Sequence, residues 1–512
     1  MKAASPAESR VTLRFGTESG REYLYDDETG SILPWSPLRE RVLSSLLAGR
    51  FGEERSELEA EHGAAEVEAA RAFLEHWRDD YGAFVRRGGP ETMAPIPPAE
   101  ELRRYIAETS FELLLILTEN CNLRCRYCAL SEVYPLNRWR TQRTMSFETA
   151  RDAIDWYYEL TKGQLERNPR KRMGLSLYGG EPTMNMPLLK RILEYVRDRY
   201  PETFLPVMTT NGTLLTPKNV PVLVEHGVQL AISLDGPEEE HDRLRVDSRD
   251  RGTHAQIMKN LRWIQEHYPE WFKTKLTTVS VYDQGSDVVK SERFFAENEG
   301  LIPRSVFVNA VGERNTDYHA QYTEEDTRRI AERVHTLRER YKEAKVKGEP
   351  TSSYMMSLVG MPIAMGVLRN RVADRRPGFL PYTGTCVPGD KIAVHVEGKI
   401  DMCERVNGTY PIGHLDQGGI DYERLREIIG RYRDQVMTHC HRCPASKFCS
   451  VCFSHVEGEG DFARIASACA GTITQARGRL ADYTSVMERN RDADFIVDTD
   501  VSYLEQRMLY GY

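Results

Sequence analysis

Ten cysteines fall in two groups, and their spacing is the feature of this sequence that carries chemistry. Cys121, Cys125 and Cys128 lie together in CNLRCRYC, with three and then two residues between them. The other seven, Cys386, Cys403, Cys440, Cys443, Cys449, Cys452 and Cys469, occupy a C-terminal block, four of them in CHRCPASKFCSVC. The N-terminus shows no apolar signal region, so the chain is expected in a reducing cytoplasm, where thiols serve as ligands or redox groups rather than disulfides. Three thiolates on one short loop can surround a cubane iron–sulfur cluster and leave its fourth iron open to a substrate. A zinc site and plain buried thiols are the alternatives. Zinc prefers a fourth protein ligand nearby, and buried thiols need no such spacing.

Something must position those thiols. From residue 111 short apolar stretches alternate with amphipathic helices, the pattern of parallel strands joined by crossover helices. The pattern predicts six strands, FELLLIL, GLSLY, LPVMTT, VQLAISL, TKLTTVSV and SVFVNA, separated by helices with apolar faces such as Phe147, Ala150, Ile154, Tyr157 and Leu188, Ile192, Val196. That is an α/β fold, a barrel or partial barrel. In such folds reactive groups sit on loops leaving the C-terminal ends of strands, and CNLRCRYC follows the first strand directly.

Ahead of the barrel, strands around Val11–Phe15, in EYLYDD and through Ile32 and Leu33 precede two helical faces, Leu38, Val42, Leu46, Leu47 and Val67, Ala70, Phe73, Leu74, Trp77. This order suggests a winged-helix-like module. The Gly- and Pro-rich RRGGPETMAPIPPAE, residues 86–100, reads as an interdomain linker. Thr323–Lys347 reads as a charged helix with a capping box at Thr323 and Asp326, and Met355, Met356, Met361 and Met365 as adaptable core. The expected units are a module over 1–90, a linker over 91–110, the barrel over 111–320, a helical bridge over 321–380, a cysteine-rich domain over 381–475, and a C-terminal helix and tail over 476–512.

Composition narrows the partners. A chain of 512 residues with 40% apolar and 29% charged residues is a packed globular protein of about three domains. Its net charge of -8 offers no global attraction for nucleic acid or anionic lipid. The longest unbroken apolar run, Leu113–Leu117, is far short of the roughly 20 residues that span a bilayer. Neither nucleic acid nor membrane is expected as a partner.

CNLRCRYC after the first strand, LYGGEP after the second, and ISLDGP with HDRLR after the fourth together resemble the radical S-adenosylmethionine (radical SAM) enzymes. The resemblance implies a partial (β/α)6 TIM-type barrel holding a [4Fe–4S] cluster. The cluster's open iron chelates S-adenosylmethionine, and an electron cleaves that cosubstrate to methionine and a 5′-deoxyadenosyl radical. By position it assigns Cys121, Cys125 and Cys128 to the cluster and Tyr127 to the adenine. Gly179, Gly180, Glu181 and Pro182 fall to the methionine amino group, Ser233 and Asp235 to the ribose, and Arg245 to the carboxylate.

The C-terminal block resembles the SPASM extension of these enzymes, which binds two auxiliary clusters. It departs in having two residues between Cys449 and Cys452 where the usual pattern has three. The resemblance implies Cys386, Cys403 and Cys452 on the first auxiliary cluster and Cys440, Cys443, Cys449 and Cys469 on the second, for three [4Fe–4S] clusters in all. A zinc ribbon is the alternative for this block. An open iron on the first auxiliary cluster would bind a substrate thiolate, whereas His395, His441, His455 or an aspartate would close it. Asp401 and Glu404 flank Cys403 and are candidate catalytic proton acceptors.

The N-terminal module resembles in topology the recognition element of peptide-maturing radical SAM/SPASM enzymes, where a leader peptide adds a strand to the sheet edge. A DNA-binding winged helix competes, but the acidic region Glu53–Glu68 argues against phosphate contact. The expected activity is that of an oxidoreductase maturing a ribosomally made precursor peptide. A thioether from cysteine sulfur to carbon is the leading product. Carbon–carbon crosslinking and sulfatase-type formylglycine formation are alternatives, and a multi-cluster electron-transfer protein is the non-enzyme reading. The expected partners are the precursor peptide and a reducing donor of flavodoxin or ferredoxin type.

Overall fold

The computed structural model describes residues 10–495, except 86–88, 90, 92–93, 138, 304, 314, 365–387, 406–409, 457, 459–460 and 464. Cys386, Met365 and the tail after 495 therefore lie outside the described residues, as does the side chain of His455.

The N-terminal strands are β1 (Thr12–Gly16), β2 (Glu22–Asp26) and β3 (Ser31–Pro34), paired antiparallel in that order. Ser36 then caps α1 (Pro37–Leu47), its side chain accepting from the Arg39 N–H with proline in the first turn. Helices α2 (Phe51–His62) and α3 (Ala64–Tyr81) follow. Val42, Leu43, Leu58, Val67, Ala70 and Leu74 close a core with Leu24 and Trp35 of the sheet side. Strands precede helices as expected, and the acidic stretch folds into α2 and the start of α3.

The stretch 91–110, read as linker, contains helix α4 (Ala99–Thr109), with Leu102 and Ile106 fully buried. The prolines that suggested a break sit just ahead of this helix, where a missing N–H costs nothing.

The barrel strands are β4 (Glu112–Thr118), β5 (Met173–Gly179), β6 (Phe204–Thr210), β7 (Gln229–Ser233), β8 (Leu276–Tyr282) and β9 (Val306–Ala310), all parallel and in sequential order. They match the six expected stretches. Between them run α5 (Phe147–Arg167), α6 (Met186–Arg199), α7 (Val220–Glu225), α8 (His254–His267) and α9 (Val288–Glu297). Every residue of β4 is buried, which is why it reads as an unbroken apolar run rather than an alternation.

The sheet does not stop at β4. β10 (Lys391–Val394) pairs parallel to it, with Lys391 opposite Glu112 and the two side chains 3.0 Å apart. β11 (Lys399–Asp401), β12 (Gly413–His414) and β13 (Gly419–Ile420) continue antiparallel, giving ten strands. The cysteine-rich region, expected as a unit apart, thus begins as an extension of the barrel sheet. α10 (Glu324–Lys347) carries the anticipated Thr323–Asp326 capping box. α11 (Tyr422–Val436) and α12 (Ala466–Arg489) complete the C-terminal part. Among the described residues no helix is long and apolar enough to cross a membrane.

Leu115, fully buried at the centre of β4, tests this core. Leu115→Ala should destabilise the barrel by about 2–5 kcal/mol, read as a lowered melting temperature by circular dichroism.

Candidate functional site

The three-cysteine loop leaves β4 and is held at both ends. Its start pairs with the segment after β7: the Arg124 N–H donates to Val246 O at 2.7 Å and the Arg126 N–H to Leu244 O at 2.9 Å. Its return is anchored by Arg143, whose guanidinium donates to both oxygens of buried Glu119 at 2.8 and 2.9 Å and also reaches Glu397 in the β10–β11 turn. Cys121 and Cys128 each lie 3.4 Å from the backbone N–H two residues on. Burial pushes the Cys121 thiol up to about 11 and the Cys125 thiol to about 12, and each feels the charge of the other cysteines of the loop. Both stay protonated at neutral pH unless a metal displaces the proton.

The GGEP turn ends β5 and presses on that loop. A Cβ on Gly180 would stand 2.2 Å from Asn120 O, and one on Gly179, at φ +151, 2.3 Å from Thr118 O. No side chain fits there. The Gly180 and Glu181 N–H groups instead donate to Thr118 O and Asn120 O at 2.7 and 2.9 Å. Buried Glu181 accepts from the Thr183 and Thr210 hydroxyls at 2.5 and 2.7 Å and from the N–H groups of Thr183 and Asn211 at 3.1 and 2.7 Å. Burial still raises its pKa above the ordinary value, against those bonds. Thr210 and Asn211 were not singled out from the sequence. Asn211 Nδ2 donates to Asn122 Oδ1 at 2.9 Å and stands 4.0 Å from Cys121 Sγ. The available signal was its place directly after the third strand.

Tyr127, Asp235 and Arg245 converge on Cys125. Asp235 Oδ2 accepts from the Tyr127 hydroxyl at 3.0 Å and from Arg245 Nε at 2.8 Å, and Arg245 lies over the Tyr127 ring at 5.3 Å. Burial and the Asp235 carboxylate raise the Tyr127 pKa well above the usual phenol value, even against the nearby Arg245 charge. Ser233 ends β7 two residues before Asp235. His241 of HDRLR is fully buried and accepts the Asp235 N–H on Nδ1 at 3.2 Å, while its Nε2 faces Thr253 Oγ1 at 3.0 Å. Burial and the Arg245 charge hold its pKa well below the ordinary value, so it is a neutral brace that ties the Asp235 backbone to Thr253. Arg243 turns elsewhere, donating to the buried Asp283 carboxylate after β8 at 2.7 and 3.1 Å; Tyr318 and Tyr322 also donate to it, at 2.6 and 2.5 Å. Despite burial, those donors bring Asp283 down to about 2.

Among the C-terminal cysteines, Cys403 and Cys452 both lie within electrostatic reach of Arg405, as do Glu404 and Tyr178 of β5. Cys440 and Cys449 pack against the main core, whereas Cys443 packs against the N-terminal sheet cluster. Cys469 lies in the first turns of α12. Asp401 is fully buried, its Oδ2 2.6 Å from His395 Nε2 and 3.6 Å from Lys399 Nζ, so it and His395 engage one another. A Glu404 side-chain oxygen lies 3.4 Å from Arg405 Nε.

Among the described residues no three His, Cys, Asp or Glu side chains gather as around one metal ion. The donor set at the barrel end suits an iron–sulfur cluster: three free, part-buried thiols of one loop leave a position for a non-protein ligand.

Parts of this chain are similar to known proteins. Residues 115–290 match the model of the Radical SAM superfamily. An uncharacterized protein of Methanocaldococcus jannaschii is 32% identical over 127 residues, 25% of this chain and 39% of that protein. A serine-type anaerobic sulfatase-maturating enzyme of Bacteroides thetaiotaomicron is 28% identical over 156 residues, 30% of this chain and 35% of the relative. The matched stretches thus span about two fifths or less of these relatives. The solved structure of hexahistidine-tagged anSMEcpe with bound AdoMet superposes with a TM-score of 0.58 at 17% identity, covering 78% of this chain and 99% of that one, a likeness of fold.

Two variants probe the charges at this end of the barrel. Asp235→Ala leaves buried Arg245 without its counter-charge and should cost about 3–5 kcal/mol, seen as a lowered melting temperature. The depressed pKa of Asp283 gives a contribution that is complete above the unfolded value near pH 4 and is lost as pH falls toward 2, worth about 2 kcal/mol. The melting-temperature gap between wild type and Asp283→Asn should be constant above about pH 5 and narrow on acidification to about pH 3.

Proposed function

We propose that this chain, a member of the radical SAM superfamily, is a peptide maturase that takes a hydrogen atom from a ribosomally made precursor and forms a crosslink, a thioether from a cysteine sulfur to a carbon centre. The observation that carries the reading is the convergence of the Cys121–Cys128 loop, the GGEP turn and the Tyr127–Asp235–Arg245 group at the C-terminal ends of the parallel strands. Cys121, Cys125 and Cys128 hold a [4Fe–4S] cluster. Gly179–Pro182, Ser233, Asp235 and Arg245 hold S-adenosylmethionine, with Tyr127 beside its adenine.

Held by Cys121, Cys125 and Cys128, the first cluster would supply the electron for reductive cleavage of S-adenosylmethionine, and an auxiliary cluster held by the C-terminal cysteines would supply an acceptor for the electron released when a substrate thiolate joins the carbon radical. The chain's own residues orient and shield. The two glycines bring the backbone close enough for the GGEP turn to receive an ammonium, while Glu181, its carboxylate held by Thr183, Thr210 and Asn211, braces that turn. Arg245 presents a buried cation to a carboxylate. Cys386, Cys403 and Cys452 are assigned to the first auxiliary cluster and Cys440, Cys443, Cys449 and Cys469 to the second. The shared neighbourhood of Cys403 and Cys452 around Arg405 supports the first of these groupings. Of the two candidate proton acceptors, Glu404 is favoured over Asp401, which is enclosed with His395.

A peptide fits the groove of about 540 Å³ between β2, β3, Trp77 and the end of α12. β3 is an edge strand of its sheet, ready to pair with an added strand, and Arg21, Glu488 and Arg491 flank the groove with charge. The leader of the precursor is placed there, remote from the chemistry. A flavodoxin- or ferredoxin-type protein supplies the electron.

Reconstituted anaerobically and reduced with dithionite, the full chain should release 5′-deoxyadenosine from S-adenosylmethionine. Cys125→Ala should abolish this, whereas Cys469→Ala should retain cosubstrate cleavage and fail to process peptide completely. No 5′-deoxyadenosine from the wild type would remove the reading. Co-expression with a short cysteine-bearing peptide encoded beside the gene should give a product lighter by two hydrogens per bond, whose linked cysteine resists alkylation. An alkylatable thiol in that product would point to a carbon–carbon bond instead.

A further inference from the structure

The N-terminal sheet grips the segment between Cys443 and Cys449. Asp27, directly after β2, is fully buried. Its Oδ2 accepts from the Ser446 hydroxyl at 2.5 Å, and its Oδ1 accepts from the Lys447 N–H at 3.1 Å and the Tyr25 hydroxyl at 3.4 Å. The Lys447 ammonium donates back to Glu28 O at 3.1 Å. Beneath these bonds Phe448 meets Tyr25 edge to face, ring centres 5.2 Å apart, and Ala445, Phe448 and Cys443 join a cluster with Leu13 and Phe15 of β1.

The gripped segment is short. Pro444, Ala445, Ser446, Lys447 and Phe448 separate the two cysteines, too few residues to build a core of their own. Within it the Phe448 N–H donates to Ala445 O at 3.1 Å and the Cys449 N–H to Ser446 O at 3.2 Å, so the turn that aims Cys449 starts at the residue whose side chain Asp27 holds. A carboxylate removed from water needs donors in fixed places, and Ser446 and Lys447 of the cysteine segment supply two of them. Such an arrangement fixes register more than it adds stability.

We propose that Asp27 is a positioning residue for Cys443 and Cys449, so that the N-terminal module sets the ligand geometry of the second auxiliary cluster. The inference rests on the proposed assignment of those cysteines to that cluster. It makes the module more than a handle for peptide: Tyr25, which lines the groove, also donates to the carboxylate that orders the cluster segment.

The test compares the full-length wild type with Asp27→Ala and Asp27→Asn after anaerobic reconstitution with iron and sulfide. Iron per chain, the electron paramagnetic resonance spectrum after dithionite, and 5′-deoxyadenosine release without peptide are measured on each. Asp27→Ala should lose about one third of the bound iron, one cluster of three, with the matching spectral component. Its cosubstrate cleavage should stay within about twofold of wild type, because the first cluster lies on another loop. Asp27→Asn keeps one acceptor of the same shape, and should retain the iron but shift the auxiliary signal. Full iron with an unchanged spectrum in Asp27→Ala overturns the proposal. Should that variant lose all iron and its circular dichroism together, Asp27→Asn decides: a shifted auxiliary signal supports the role and an unchanged one overturns it. A wild type that binds iron for a single cluster overturns the cluster assignment itself, a different failure.

Discussion

The site depends on one close approach, that of the end of β5 to the end of β4. Neighbouring strands in a sheet lie about 4.8 Å apart. At Gly179 and Gly180 the β5 backbone comes so near Thr118 and Asn120 that even a methyl group would collide with a carbonyl oxygen. Those glycines are required by the contact between two loops as much as by room for a ligand. Two N–H groups of the turn then bond to the chain entering the cysteine loop, and Glu181 is carried to within electrostatic reach of Cys121. From that seam outward, Asn211 joins from β6, and Asp235 with Arg245 closes from β7.

The barrel was legible because its signal is periodic and local. Six buried strands separated by amphipathic helices read directly from the chain, as did the α10 capping box. Other features are set by tertiary contact, which leaves little mark on sequence. KIAV is too short to announce itself as a strand, and it takes its place between the open edge of β4 and the still shorter β11. The unit expected as linker over 91–110 takes in α4, because Leu102 and Ile106, four residues apart, give that helix a face to bury. Asn211 carried no motif of its own, being one polar residue in TTNGT. Of HDRLR, the sequence reading gave a role to Arg245 alone. The structure divides the motif: His241 braces the Asp235 backbone, and Arg243 pins Asp283 just after the next strand.

Three of the buried carboxylates at this end of the barrel are matched by a guanidinium. Asp235 with Arg245 sets a carboxylate against a guanidinium within the connection after β7, Glu119 with Arg143 does so at the two ends of the loop after β4, and Arg243 with Asp283 ties the connection after β7 to the one after β8. A planar guanidinium offers donors in fixed directions, so the first two pairs fix the shape of one loop each and the third the relative placement of two, which an apolar contact does less strictly. The thiols differ. Burial raises Cys121 and Cys125, and the carboxylates near them add to the shift, so this pocket suits a group that brings positive charge.

The ends of the chain are joined by the same logic at a larger scale. Lys342 of α10 is nearly buried and meets Glu18 of the N-terminal hairpin, Glu339 at 2.8 Å and Asp482 of α12 at 3.7 Å. Arg489 of α12 pairs with Glu343 at 2.7 Å, and Glu488 accepts from Tyr23 and Thr17 at 2.8 and 3.0 Å. Closing so long a loop is less costly than its length suggests, since the entropy of closure grows only with the logarithm of the number of residues. The apolar cluster of Leu13, Phe15, Tyr25, Phe448, Ala476 and Leu480 supplies the favourable area. The polar bonds around Asp27 and Lys342 select one register among the many that apolar contact alone would permit. A module joined only by a flexible tether would leave the cysteine segment to find its own shape; joined in this way, the sheet that offers its edge to a peptide and the turn that aims Cys449 form one piece.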